Sequence, residues 1–258
     1  MTAIPLTEPS LLNAKRALRQ CFVEEKSAHL TEALAAACGF ASHAALLAAV
    51  RQMNADDPDY VLLRDDAFIR RMNELIEMPM EDDPGLFDRL SYPSKDGVIE
   101  TWSPNSEDGP YTSLRDRAWR NMMVAAINTG IERRLFTIRA GDNRWPGSDT
   151  PNRGEIHVFE FDIEGIPAIA SVSDAGWDEL AIHIALWPTP EGKRWVRTSN
   201  GGFLAGEAFA MGWMERKDGA WLQFNGKPVF NCRKHRLRRV ADVKVETNAY
   251  SDRGNFKM

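Results

Sequence analysis

Apolar residues recur with a helical period through the first half of this chain and with a period of two through the second. Thr7 or Ser10 can cap a helix with Pro9 in its first turn, and Leu11, Ala14, Leu18, Cys21 and Phe22 then mark one face over about 9–22. Ser27 can cap a second helix, whose stripe is Leu30, Ala33, Leu34, Ala37 and Cys38, with Gly39 where a left-handed C-terminal cap is wanted. Ser42 opens a third helix that runs to about Val50. "HLTEALAAACGFASHAALLAAV" (29–50) therefore reads as a hairpin of two short helices joined by "GFAS", with Phe40 plugging the gap. The polar stretch "RQMNADDPDY" reads as a linker. Beyond it Phe68, Ile69, Met72, Leu75 and Ile76 predict a fourth helix, whose N-terminus Asp65 and Asp66 suit by charge.

From Pro79 to Pro110 the chain is rich in Pro, Gly, Ser, Asp and Asn and predicts a long irregular connection. A long helix follows, capped at Thr112 or Ser113 and carrying Leu114, Trp119, Met122, Met123, Ala126, Ile127 and Ile131. The period then changes. "EIHVFEFDI", "IPAIASV", "ELAIHIALW", "RWVRTS", "AFAMGWMER", "AWLQF" and "VADVKVET" predict strands, with hairpin turns at Glu164-Gly165 and Asp218-Gly219. The expected architecture is α+β: a small N-terminal helical bundle (1–54), an acidic helix and irregular connection (55–111), and an antiparallel sheet packed on the long helix (112–258).

Composition sets bounds on this picture. With 43% hydrophobic and 27% charged residues the chain has ordinary globular proportions, and no apolar run is long enough to span a bilayer. The opening residues lack the pattern of a secretion signal, and three scattered cysteines (Cys21, Cys38, Cys232) suit reduced thiols, so a cytoplasmic protein with no membrane partner is expected. A net charge of −5 is mild but uneven: Asp56 to Asp88 holds eleven acidic residues against three arginines, whereas "RKHRLRR" (233–239) holds five Lys/Arg and no acid. Arg233, Lys234, Arg236, Arg238 and Arg239 thus form a basic strip that can meet nucleic acid, an acidic partner or this chain's own acidic segment.

Several chemistries can be weighed by spacing. Cys21, His29, Cys38 and His43 lie too far apart for the paired ligands of a zinc site, and no metal is expected there. The hairpin has the length of a helix-turn-helix, but "HAALLAAV" lacks the Arg, Lys, Asn or Gln that base readout needs. Asp242 and Lys244, in a predicted strand with the pattern D-x-K, and Asp218 in a turn would supply the carboxylates and lysine of a Mg2+-dependent nuclease. Alternating charges on the wet face of a strand give the same pattern. Cys232 with His235, and His157 with His183, are further pairs without an identifiable third group. Arg144 and Trp145, in "GDNRWPGSDTPNRG", could form a ligand or partner contact. Five of eight tryptophans lie between 177 and 221, which suits a core or an interface.

"HLTEALAAACGFASHAALLAAV", "RAWRNMMVAAINTGIERRLFTIRAGDNRWPG" and "GEAFAMGWMERKDGAWLQ" resemble uncharacterised accessory proteins of proteobacterial plasmids and integrative conjugative elements. The resemblance implies a mobile-element setting, with no assigned activity and no functional residue to carry over. Two functions are therefore expected in competition. The first is a non-enzymatic accessory protein that engages another protein or a second copy of itself through the hairpin and the acidic fourth helix, without a cofactor. The alternative is a nucleic-acid-binding protein or Mg2+-dependent nuclease using the basic strip with Asp218, Asp242 and Lys244.

Overall fold

Local capping chemistry starts three of the helices where the sequence places them. The computed structural model describes residues 1–76, 79–94, 97–101, 111–142, 144, 155–225, 227–253 and 255–256. It divides into units Met1–Thr101 and Trp102–Met258. In the first unit a strand, β1 (Thr2–Pro5), leads to Thr7, whose side chain accepts from the Ser10 N–H and opens α1 (Glu8–Cys21). Ser27 is the first residue of α2 (Ser27–Ala37) and not its cap; Lys26 holds that position without a side-chain bond. Gly39 takes the left-handed conformation (φ 85°) that ends α2, Phe40 packs on the core, and Ser42 caps α3 (His43–Gln52).

β2 (Tyr60–Leu62) follows the polar stretch, then α4 (Asp65–Leu75), α5 (Leu86–Arg89) and β3 (Ile99–Glu100). Phe68 on α4 sits among Leu30, Leu34 and Leu46 in the buried core and meets Phe87 edge-on at 5.5 Å. The connection after α4 is anchored by side chains: Asp65 accepts from the N–H groups of Gly85 and Phe87, Asn73 makes two bonds to the Met80 backbone, and Asn13 makes two to Ser94. These bonds build the described part of 55–101 into the same unit as the first three helices. β1 lies between β2 and β3 in a three-stranded antiparallel sheet. Strands this short show no alternation by which to recognise them.

In the second unit Ser113 caps α6 (Leu114–Glu132). It is followed by β4 (His157–Ile163), β5 (Ile166–Gly176), β6 (Glu179–Pro188), α7 (Gly192–Trp195), α8 (Gly202–Ala205), β7 (Gly206–Glu215), β8 (Trp221–Asn225), β9 (Val229–Cys232), α9 (Lys234–Ala241) and β10 (Asn255–Phe256). β4 to β8 run in sequence order as antiparallel neighbours, β9 also pairs with β7, and β10 adds to β8 in parallel. The molecule is thus α+β. Two-residue turns join β4 to β5 at Glu164-Gly165 and β5 to β6 at Trp177-Asp178, all four residues having positive φ.

The sheet takes α6 on one face. Gly212 of β7 is the contact point: an added Cβ would lie 3.0 Å from the Trp119 ring and 3.1 Å from Met123. Trp119 is fully buried there, and its indole N–H donates to the Met211 carbonyl at 2.9 Å. Ile182, the cross-strand partner of Gly212, lies on this face with Leu180, Ile184 and Leu186, all buried.

Two predicted strands do not form; each instead begins as the end of a helix. "RWVRTS" spans the end of α7, where Arg194 and Trp195 both donate to the Glu191 carbonyl. "VADVKVET" begins as the last turn of α9 and continues without a strand. The reason is the buried Asn121 of α6, whose side-chain amide donates to the carbonyls of Val240, Ala241 and Val243 at 3.1, 3.1 and 2.8 Å. These bonds tie the backbone of 240–243 to α6, away from the sheet. Asn121→Ala leaves these carbonyls unpaired in a buried site, which costs about 1–3 kcal/mol. We expect that loss in urea unfolding, together with faster amide exchange across 234–241.

Candidate nucleic-acid interface

The basic strip is a helix lying on the second unit. It starts where β9 ends: the Arg233 N–H donates to the Glu207 carbonyl of β7, and α9 then packs along α6 with Val240 and Ala241 buried. Arg233, Arg236 and Arg239 recur every third residue and each lies over an aromatic ring. Arg233 is 4.4 Å from the centroid of Phe203, and Arg236 and Arg239 are 4.2 and 5.7 Å from that of Trp187. Arg194 over Trp195 and Arg115 over Phe230, at 5.4 and 5.0 Å, repeat the arrangement elsewhere in the unit. Cation–π contacts of this kind orient a guanidinium while leaving its N–H groups able to bind an anion.

Counter-charge on this surface is limited. Glu207 takes Arg236 in a tight ion pair and His235 at 3.7 Å, and the hydrogen bond from Arg236 holds its carboxyl below the usual range. Arg239 also donates to the Gly165 carbonyl at 3.3 Å. Lys234 and Arg238 are exposed, and their side chains have no ion-pair partner among the described residues. They are i,i+4 neighbours, on one side of the helix about 6 Å apart.

The other candidate residues lie elsewhere. Asp218 is exposed in the turn between β7 and β8; Asp242 ends α9 and Lys244 follows it, so the predicted D-x-K strand is absent. Arg144 makes two bonds to the Asp142 carboxylate at 2.7 and 2.6 Å, and Trp145 lies outside the described residues. Cys21 is exposed at the end of α1 and not on its apolar stripe. Cys38 is buried, which pushes its thiol up to about 12. Among the described residues no three His, Cys, Asp or Glu side chains are grouped to hold a metal. α3 exposes Ala44, Ala45 and Ala48, which carry no base-reading donor, and its exposed Arg51 and Gln52 come only in its last turn. Cys232 is half-buried beside the Arg233 carbonyl, and burial raises its thiol too.

His157 and His183 do not face one another. His157 pairs with Val172, whereas His183 pairs with Ser171, so strand alternation sends them to opposite faces of the sheet. Ser171 donates to the Val196 carbonyl at 2.8 Å and contacts His183 Nδ1 at 3.2 Å; burial pulls His183 down to about 4.

The strand register also brings together a pair that the sequence does not reveal. Glu179 and Glu215, 36 residues apart, are direct cross-strand partners on β6 and β7. The Gln223 amide of β8 donates to Glu179 at 2.8 Å, and the Lys217 N–H donates to Glu215 at 2.7 Å. Burial, then the hydrogen bond and charge of Glu179, push Glu215 up to about 7 against the backbone N–H groups that favour its charged form. Two carboxyl groups in contact share a proton more readily than they bear two charges.

Comparisons of the chain with protein-family models, with curated proteins and with solved structures find no match. Among the described residues no helix is long and apolar enough to cross a membrane.

The carboxyl pair has a measurable consequence. The fold raises Glu215 from 4.5 to about 7. Its stabilising contribution is therefore complete below 4.5 and lost as pH rises through 7. Glu215→Gln removes that titration, so the variant's melting temperature relative to the parent should be a few degrees higher at pH 8 than at pH 5. Equal differences at the two pH values would rule the shared proton out.

Proposed function

We propose that the second unit binds the backbone of a nucleic acid through α9. The observation that carries this reading is the array of Arg233, Arg236 and Arg239 over Phe203 and Trp187, flanked by the exposed Lys234 and Arg238. An aromatic face orients these guanidinium groups, and a row of phosphates is the ligand that uses cations at such short intervals. Because α9 is a small basic surface on a chain of net charge −5, salt should control its affinity strongly. Asp242 and Lys244 follow a helix end and do not share a strand with a second acid, which gives bond cleavage no paired carboxylates among these residues. A nucleic-acid ligand also suits the mobile-element setting that the sequence resemblance implies.

Fluorescence anisotropy of labelled DNA and RNA against salt tests the proposal. Affinity should fall steeply and linearly in log–log form, and Lys234→Ala with Arg238→Ala should lower the slope by about two. No binding at low salt would refute it.

A second reading concerns the first unit, whose partner would be a segment of another protein. An open cleft of about 500 Å3 is lined by Leu62, Ile69 and Pro84 with Asp66, Asp82, Asp83 and Arg64; Asp66 pairs with Arg64 and Asp83 with Arg89, which leaves Asp82 to meet a cation. Such a cleft suits a segment of protein that carries lysine or arginine beside apolar residues. A lysine-rich peptide should then bind the parent and lose about tenfold in affinity to Asp82→Lys, by calorimetry.

A further inference from the structure

Phosphates make no direct contact with aromatic rings, yet Phe203 offers ring surface beyond what orienting Arg233 requires. Phe203 stands 41% exposed on α8, beside Leu204 at 53%, and Arg233 covers one of its faces. Trp187, half-buried at the end of β6 with φ 47°, carries Arg236 and Arg239. In a duplex the faces of the bases are stacked on one another and cannot reach such rings. In a single strand they are free, and every base offers the same π-face.

The setting of α9 also disfavours a duplex groove. Reading a groove requires a helix that projects, with side chains reaching base edges. α9 has eight residues, or about 12 Å. Val240 and Ala241 in its last turn are buried, its C-terminal carbonyls are held by Asn121, and Arg239 is tied to the Gly165 carbonyl. The helix lies flat, with Lys234 and Arg238 on one flank and the rings beneath the other.

Resting on the proposed binding of a nucleic-acid backbone, we infer that the ligand is single-stranded: phosphates lie on Lys234 and Arg238, and a base stacks on Phe203 beside the Arg233 guanidinium. Stacking carries no base-edge code, so sequence preference is weak. The stack and the cation–π contact are compatible, because Arg233 lies over one face of the ring and can itself form the next layer of the stack.

The experiment is anisotropy with the full chain against a labelled oligothymidylate and a duplex of equal length, each over a range of salt. The single strand should bind about tenfold tighter than the duplex at the same salt. Phe203→Ala should weaken single-strand binding about tenfold with an unchanged salt slope, and Phe203→Trp should restore it. The exposed position of Phe203 makes either variant a small perturbation of the fold, which circular dichroism checks. If the duplex binds as tightly as the single strand, or Phe203→Ala leaves single-strand affinity unchanged, the inference is overturned while backbone binding stands. Absence of salt-dependent binding to both polymers overturns backbone binding itself.

Discussion

How closely α6 approaches its sheet determines the geometry of the second unit, and Gly212 sets that approach. A side chain there would collide with Trp119 and Met123. With hydrogen alone in its place, Trp119 sinks fully between helix and sheet and its indole finds the Met211 carbonyl. Burying a side chain of this size is among the largest apolar contributions one residue can make, and satisfying its N–H removes the matching polar cost. Two residues further along α6, Asn121 meets the end of α9. The helix that anchors the sheet thus also places the basic surface, so the apolar core and the candidate interface share one support.

The sequence disclosed elements whose period was long and whose caps were chemically explicit. Thr7, Ser42 and Ser113 each accept from a helix N–H as expected, and the α+β class, the long helix and the antiparallel strands follow from a change of period near residue 155. What it hid depends on distant partners. "VADVKVET" alternates like a strand, but Asn121, about 120 residues earlier, takes its carbonyls. "RWVRTS" alternates as well, and turns because its N–H groups find Glu191 nearby. Among the described residues β1, β2 and β3 have four, three and two residues, too few to display a period.

The same distinction holds for the candidate site. Five cations in seven residues could be seen in the chain; that Arg233, Arg236 and Arg239 meet rings could not, since Phe203 and Trp187 arrive from other elements. The Glu179–Glu215 pair was equally hidden, because only the β6–β7 register makes the two residues neighbours. A two-residue turn at Trp177-Asp178 fixes Glu179 at the very start of β6, so the register is set locally even though its chemical result is long-range.

Arginine side chains ordinarily sample many rotamers, and a ligand that immobilises them must offset the entropy they lose. On α9 much of that loss has already occurred in the free protein: Arg233 rests on Phe203, Arg236 is held between Trp187 and Glu207, and Arg239 between Trp187 and the Gly165 carbonyl. The surface is preorganised. Its donors stand in position before an encounter, so association needs little rearrangement of the protein, and the ordering that remains falls on the ligand.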